Sequence, residues 1–334
     1  YRKGSHVADN QHSCEIAPGI FLIKVPLPEN PLKQLNSYLI LDEDRPALVD
    51  VGFNRIECEQ ALRQALDDFG LDFQDIDVLA THSHPDHVGN LDRIWRPSMR
   101  VYAHMHSFEE PRIMNNLQSS TFLPIVDAVT LCAESQRQPS RVFSTDLSAV
   151  KGDYPVTYLK DGDIFRRGNY RFQVIETPGH HMTHICLYDE ASKIMLTGDH
   201  VLERITPNIS SFMLETDELG DFLASLRKVR DYDVKLALPG HGEPFSGLAR
   251  RVDELIAHHE ARLTEMEDLV RAGHHDIIDI TSNASWKYPN WESWAMEQKF
   301  FSLGETLAHL VHAVHCGTIR MIIEGEVVEF YLAE

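Results

Sequence analysis

The segment Thr81-His82-Ser83-His84-Pro85-Asp86-His87 packs three imidazoles and one carboxylate into seven residues. Imidazole nitrogen and carboxylate oxygen are ligands for zinc and comparable divalent ions, and the carboxylate adds the charge needed to hold a second ion. The preceding run, Ile76-Asp77-Val78-Leu79-Ala80, reads as a buried strand, so these groups issue from a strand end. His82 and His84 alternate onto one face, while Asp86 and His87 lie beyond the turn favoured by Pro85.

Three further clusters follow the same plan. Thr177-Pro178-Gly179-His180 follows the apolar strand Tyr170 to Ile175, and Thr197-Gly198-Asp199 follows Lys193 to Leu196. Pro239-Gly240-His241-Gly242 follows Lys235 to Leu238. Each sets a potential ligand beside a glycine that permits a tight turn. If the four strand ends converge on one sheet edge, they gather five histidines and two aspartates, enough for two metal ions.

This ordered set resembles the metallo-β-lactamase-fold metallo-hydrolase superfamily, over roughly residues 20 to 270. Within it, the set is similar to the branch of glyoxalase II and the lactamase-β-2-like proteins. The resemblance implies an α/β fold, an αββα sandwich, with two divalent metal ions. Zn2+ is the first expectation, and Fe or Mn would suit the same ligand types. It implies that His82, His84 and His180 bind the first metal, that Asp86, His87 and His241 bind the second, and that Asp199 bridges them. Asp50, in Leu48-Val49-Asp50-Val51-Gly52, matches the aspartate that orients ligands from behind, as a metal-bound imidazole requires at its other nitrogen. His181 and His200, beside ligands, are expected in the same supporting role, as is His184.

Chemically, two ions about 3.5 Å apart share a water and lower its pKa toward neutrality. The bridging hydroxide is then the nucleophile, and the metal stabilises the oxyanion. Asp86 and Asp199 take the catalytic roles, Asp86 through a free oxygen that guides the nucleophile or passes a proton. The expected substrate is a small molecule: a carboxylic ester, thioester, lactone or amide. A phosphodiesterase or RNA endonuclease on the same site is the alternative, followed by an iron-dependent oxidoreductase, which uses fewer of these ligands. Antibiotic-destroying members with two zincs place a cysteine where Asp199 stands, which argues against a β-lactamase. The family architecture puts Phe53, Asn54, Met182, Arg204, Ile205 and Asn208 around the substrate, with Arg204 able to clamp a carboxylate or phosphate.

The elements that must position these groups are legible as periodicity. Strands are expected at Ile20 to Val25, Ser37 to Leu41 and Ala47 to Val51. An amphipathic helix follows at Arg55 to Phe69, with Ile56, Ala61, Leu62, Ala65 and Leu66 as its stripe. A helix to about Trp95 and a strand near Arg100 to Ala103 complete the first half. The second half adds the strand His184 to Tyr188, a helix near Glu218 to Val229 and a long one over Leu248 to Arg271. Residues 16–272 are therefore expected as the catalytic domain. Within it, residues 106–154 form an insertion that serves as a lid, a dimerisation element or both, which leaves a homodimer open. Residues 1–15 are expected to be disordered or tag-derived. Residues 273–334 are expected as a helical, winged-helix-like module: Leu303, Leu307, Leu310, Val311 and Val314 form one stripe ending at Gly317, and a hairpin turns around Glu324-Gly325. His309, His312 and His315 are expected on the polar side of that helix.

Composition narrows the partners. The chain has 334 residues, 43% hydrophobic, and a formal charge of −20, which repels nucleic-acid backbones and anionic membranes. No apolar run approaches a membrane span. Five scattered cysteines without zinc-ribbon or CxxC spacing point to a reducing cytoplasm.

Overall fold

Alternation along single strands sorts the core into layers. In β2 (Ile20–Pro26), Ile20 and Leu22 enter one apolar cluster while Phe21, Ile23 and Val25 enter another, following the two-residue period of a strand. The structure is a computed structural model that describes residues 11–105, 107, 152, 154–211, 214–324 and 327–334.

The first sheet runs in chain order: β1 (Cys14–Ala17), β2, β3 (Gln34–Ile40), β4 (Ala47–Val49), β5 (Asp77–Leu79), β6 (Val101–His104) and β7 (Val156–Leu159). Pairing is antiparallel from β1 to β4 and parallel from β4 to β7. The second sheet holds β8 (Ile164–Arg167), β9 (Tyr170–Glu176), β10 (Ile185–Asp189), β11 (Ile194–Gly198) and β12 (Leu236–Pro239), in the order β12-β11-β10-β9-β8. There β11 and β12 run parallel and the other pairs antiparallel.

One cluster, including Tyr38, Val49, Phe172, Leu187 and Leu196, fills the space between the sheets. A second packs the first sheet against α1 (Ile56–Asp67), and a third packs the second sheet against α4 (Glu218–Arg230) and α5 (Leu248–Arg271). The layers are thus helix, sheet, sheet, helix. Buried Asp77 ties the two sheets together, accepting from Arg45 Nε at 2.6 Å and from Arg167 Nη2 at 2.5 Å.

Beyond α5 lie α6 (Ile277–Asn283), α7 (Met296–His315) and the hairpin β13 (Ile319–Glu324) with β14 (Val327–Leu332). Their apolar core also contains Met266 and Val270, so it is built partly on the last turns of α5. Gly317, at φ 75°, ends α7; the Thr318 amide reaches Ala313 O at 3.0 Å and the Gly317 amide reaches Val314 O at 3.0 Å. That pair of bonds caps carbonyls the helix leaves open.

Several expectations differ from the structure. Cys14 pairs with Leu22 in β1, so the stretch 1–15 is ordered at its end; residues 1–10 lie outside the described residues. The expected helix before Trp95 is two single turns, α2 (Pro85–Val88) and α3 (Leu91–Ile94). In α1 the buried stripe is Cys58, Leu62, Ala65 and Leu66, while Ile56 at the first turn stays exposed. His309 is buried rather than on a polar face. Of the insertion 106–154, Ser107, Gly152 and Tyr154 are described and the rest lies outside the described residues, as does Cys132. The four described cysteines are free thiols. Among the described residues no helix is long and apolar enough to cross a membrane.

Candidate metal centre

The ends of β5, β9, β11 and β12 carry the four clusters to one place. His82, His84 and His180 present nitrogens that all lie within 4.8 Å of one another, and so do the ligand atoms of Asp86, His87 and His241. A third such set, His82, His87 and Asp199, overlaps both. In the first group His82 Nε2 and His84 Nδ1 face each other at 2.9 Å.

Asp199 sits between the groups. Its Oδ2 is 3.7 Å from His180 Nε2 and 3.4 Å from His241 Nε2, and its Oδ1 is 3.5 Å from His87 Nε2. Asp86 Oδ2 lies 3.4 Å from His241 Nε2 and 4.0 Å from His87 Nε2.

The rear nitrogens of these imidazoles are engaged. His87 Nδ1 meets Asp50 Oδ2 at 2.8 Å, His180 Nδ1 meets Asn208 O at 2.9 Å, and His241 Nδ1 meets Gln34 O at 2.8 Å. Thr81 Oγ1 stands 3.1 Å from His82 Nδ1 and donates to Asp50 Oδ2 at 2.8 Å. Such partners set the tautomer and aim the opposite nitrogen at the centre. The inward atoms His87 Nε2, His180 Nε2, His241 Nε2 and Asp199 Oδ1 are buried and carry no hydrogen bond. Buried polar atoms are ordinarily satisfied, and four unsatisfied ones converging from a nitrogen and carboxylate donor set fit divalent cations.

Electrostatics agree with a cation site. Burial, then the neighbouring histidines, holds His82 and His84 well below the usual imidazole range, which keeps them neutral donors. Burial lowers His180 as well. Burial also opposes the charged forms of His241 and His87, but carboxylates prevail: Asp199 and Asp86 push His241 up to about 10, and Asp50, Asp199 and Asp86 raise His87. Asp199 stays well below the carboxylate range against its burial, through His241 and His87.

Close approach requires glycine at two positions. A Cβ on Gly240 would lie 2.4 Å from Asp199 Oδ1 and 2.9 Å from His87 Cε1. One on Gly198, at φ 47°, would lie 2.5 Å from His184 Nε2, the atom that accepts the Asp199 amide at 3.1 Å. Asp50 itself adopts φ 59°, a left-handed conformation that costs a non-glycine residue free energy and marks functional sites.

The remaining predicted residues are placed unevenly. His181 Nε2 is 3.3 Å from Ser83 Oγ and its ring is 4.7 Å from that of His84. His200 is buried, its ring 5.1 Å from that of Phe222 and 5.9 Å from that of His184, and burial pushes it down to about 3. Asn208 serves through its backbone carbonyl. Phe53 packs on the first-sheet core, and Asn54 is exposed with Nδ2 3.4 Å from Asp92 Oδ2. Met182 and Ile205 expose 52% and 40% of their surface, large values for apolar groups beside ligand-bearing segments. The Arg204 side chain is 85% exposed, with Nε 3.3 Å from Glu203. Sequence reasoning missed Gln34, whose contribution is a backbone carbonyl, and Thr81, whose hydroxyl joins Asp50 to His82.

Comparison with known proteins extends this geometry. A sequence model described as the Metallo-beta-lactamase superfamily matches residues 31–241. The chain is 29% identical over 312 residues to the Probable metallo-hydrolase YqjP of Bacillus subtilis, covering 87% of this chain and 91% of that one. It is 26% identical over 238 residues to the human protein named Acyl-coenzyme A thioesterase MBLAC2, covering 69% and 80%. Its fold superposes with a TM-score of 0.77, at 27% identity, on the metallo-beta-lactamase family protein TTHA1429 of Thermus thermophilus, covering 95% and 100%.

Proposed function

We propose that this chain, which belongs to the metallo-beta-lactamase superfamily and is a metal-dependent hydrolase, cleaves an acyl thioester, or a related carboxylic ester, lactone or amide, at a two-metal centre. The observation that carries the two-metal reading is Asp199: one carboxylate within 3.4 to 3.7 Å of imidazole nitrogens from both ligand groups.

His82, His84 and His180 would hold one ion and Asp86, His87 and His241 the other, with Asp199 shared. Bound there, divalent ions supply Lewis acidity and a water that ionises near neutral pH. Asp50 and the carbonyls of Gln34 and Asn208 fix the imidazoles in the donor tautomer. The Asp199 side chain keeps 8% of its surface exposed and that of Asp86 14%. Asp86, the more exposed of the two, is the carboxylate assigned to accept a proton and deliver it to the departing sulfur, oxygen or, for an amide, nitrogen. A hydrolysis that adds water across an acyl bond needs that transfer and no acyl-enzyme.

Exposed Met182 and Ile205 favour an apolar acyl group, and the named activity of the human relative favours a thioester over the other acyl compounds. Exposed Arg204 offers a cation to an acidic leaving group. The test is hydrolysis of a matched panel by zinc-replete protein: an acyl thioester, a lactone, an aryl ester and a bis-aryl phosphodiester, each with a metal-stripped control. Metal-dependent turnover should be highest on the thioester. Preference for the phosphodiester would overturn the reading.

A further inference from the structure

His241 sits on the short turn that leaves β12. The turn is gripped from the opposite sheet. Tyr38 Oη donates to Pro239 O at 2.7 Å, and Asn36 Nδ2 donates to Pro239 O at 2.9 Å and to Gly242 O at 3.0 Å. The Asn36 amide donates to Gly240 O at 2.7 Å, and Gln34 O receives His241 Nδ1. Three alternate residues of β3 therefore hold the carbonyls on both sides of His241 and the ring itself.

Asn36 and Tyr38 are 1% and 2% exposed, on the strand face that meets the second sheet. Buried donors of this kind are strongly oriented, because the carbonyls they satisfy have no water to turn to. Burial holds the Tyr38 phenol well above its usual range, so it remains a donor at every working pH. The side chains of Asn36 and Tyr38 donate to the His241 turn, whereas His82 and His84 follow β5 and His180 Nδ1 meets Asn208 O.

We propose that Asn36 and Tyr38 are positioning residues that set the affinity of the second metal position, Asp86-His87-His241, separately from the first. The inference rests on the two-metal reading above. It makes occupancy of the second position depend on the seating of the β12 turn against β3.

The experiment is zinc titration of metal-stripped full-length protein against a competing chelator, for wild type, Tyr38→Phe, Asn36→Asp and Lys24→Ala. Tyr38→Phe deletes one donor with little change of shape, and Asn36→Asp replaces a donor with a carboxylate oxygen that faces the carbonyl acceptors. Lys24, partly exposed, also reaches Gly242 O at 3.0 Å and serves as a control on the same turn. Loss of a group that orients a metal ligand typically costs 10–100-fold in affinity. One of the two zinc steps should therefore rise in Kd by roughly 10–100-fold in the two clamp variants while the other stays within about 2-fold, and both should be unchanged in Lys24→Ala. Equal weakening of both steps, unchanged affinities, or loss of the fold would make these residues purely structural and overturn the proposal. If wild type itself binds a single zinc, the two-metal reading fails instead.

Discussion

Asp50 Oδ2 lies 2.8 Å from His87 Nδ1, while Asp50 Oδ1 accepts the Thr81 amide at 2.8 Å. One carboxylate at the end of β4 thus fixes both a ring that faces the second ligand group and the backbone that launches His82 and His84. The left-handed backbone at Asp50 is the conformational cost of placing it there.

Asp50→Asn keeps the shape and removes the charge and one acceptor. We expect total zinc affinity to fall roughly 10–100-fold, with kcat falling alongside. Chelator competition on the purified variant checks this, and wild-type affinity would remove Asp50 from the account.

Gly240→Ala should strip metal through a clash. Its new methyl would meet Asp199 Oδ1 at 2.4 Å and His87 at 2.9 Å, so the shared carboxylate must move. Gly242→Ala meets nothing within 4 Å but sits at φ 83°, so it should cost about 1–2 kcal/mol of stability and no metal. Metal content and thermal melts of the two variants separate these outcomes; a fully loaded Gly240→Ala protein would refute the packing argument.

The buried histidine pair of α5 and α7 should shape acid stability. His259 Nδ1 and His309 Nε2 are 3.1 Å apart, with both rings 1% exposed. Burial first, then neighbouring cations, holds His259 down to about 2 and His309 to about 3. An unfolded chain binds protons at these positions near the ordinary value of about 6.5, so below that pH it takes up protons the folded state refuses. The pair's contribution is complete above about pH 6.5 and is lost as the pH falls, by roughly 1.4 kcal/mol per unit for each histidine. Denaturant unfolding of wild type and His259→Leu/His309→Leu between pH 7 and pH 5, in one metal state, should show a shallower slope in the double variant. Equal slopes would contradict the assignment.

Chain-length selectivity tests the exposed apolar groups. Met182→Asp should raise KM for a long-chain acyl thioester by roughly 10-fold, the value of losing one buried apolar side chain, while leaving a short-chain substrate unchanged. A parallel change for both substrates would place Met182 outside the acyl path.

The candidate centre is legible in the sequence because its candidate ligands follow apolar strands at short offsets. His82, His84, Asp86 and His87 fall within six residues, and His180, Asp199 and His241 each follow a strand whose burial its composition announces. What stayed hidden is what local patterns do not encode. Gln34 and Asn208 contribute main-chain carbonyls, which every residue type possesses. His309 read as a surface residue because its partner, His259, is fifty positions away on another helix. His200 adjoins a ligand in sequence yet turns its ring to Phe222. Strand β8 went unread because Phe165 is its only buried side chain. The clamp of β3 on the His241 turn spans more than two hundred residues, a relationship set by sheet packing alone.

The most direct test of the central claim is anomalous diffraction at the zinc edge from crystals of the zinc-replete protein. The account predicts two peaks, one beside His82, His84 and His180 and one beside Asp86, His87 and His241, with the Asp199 carboxylate between them. A single peak, or two that do not share Asp199, would contradict it.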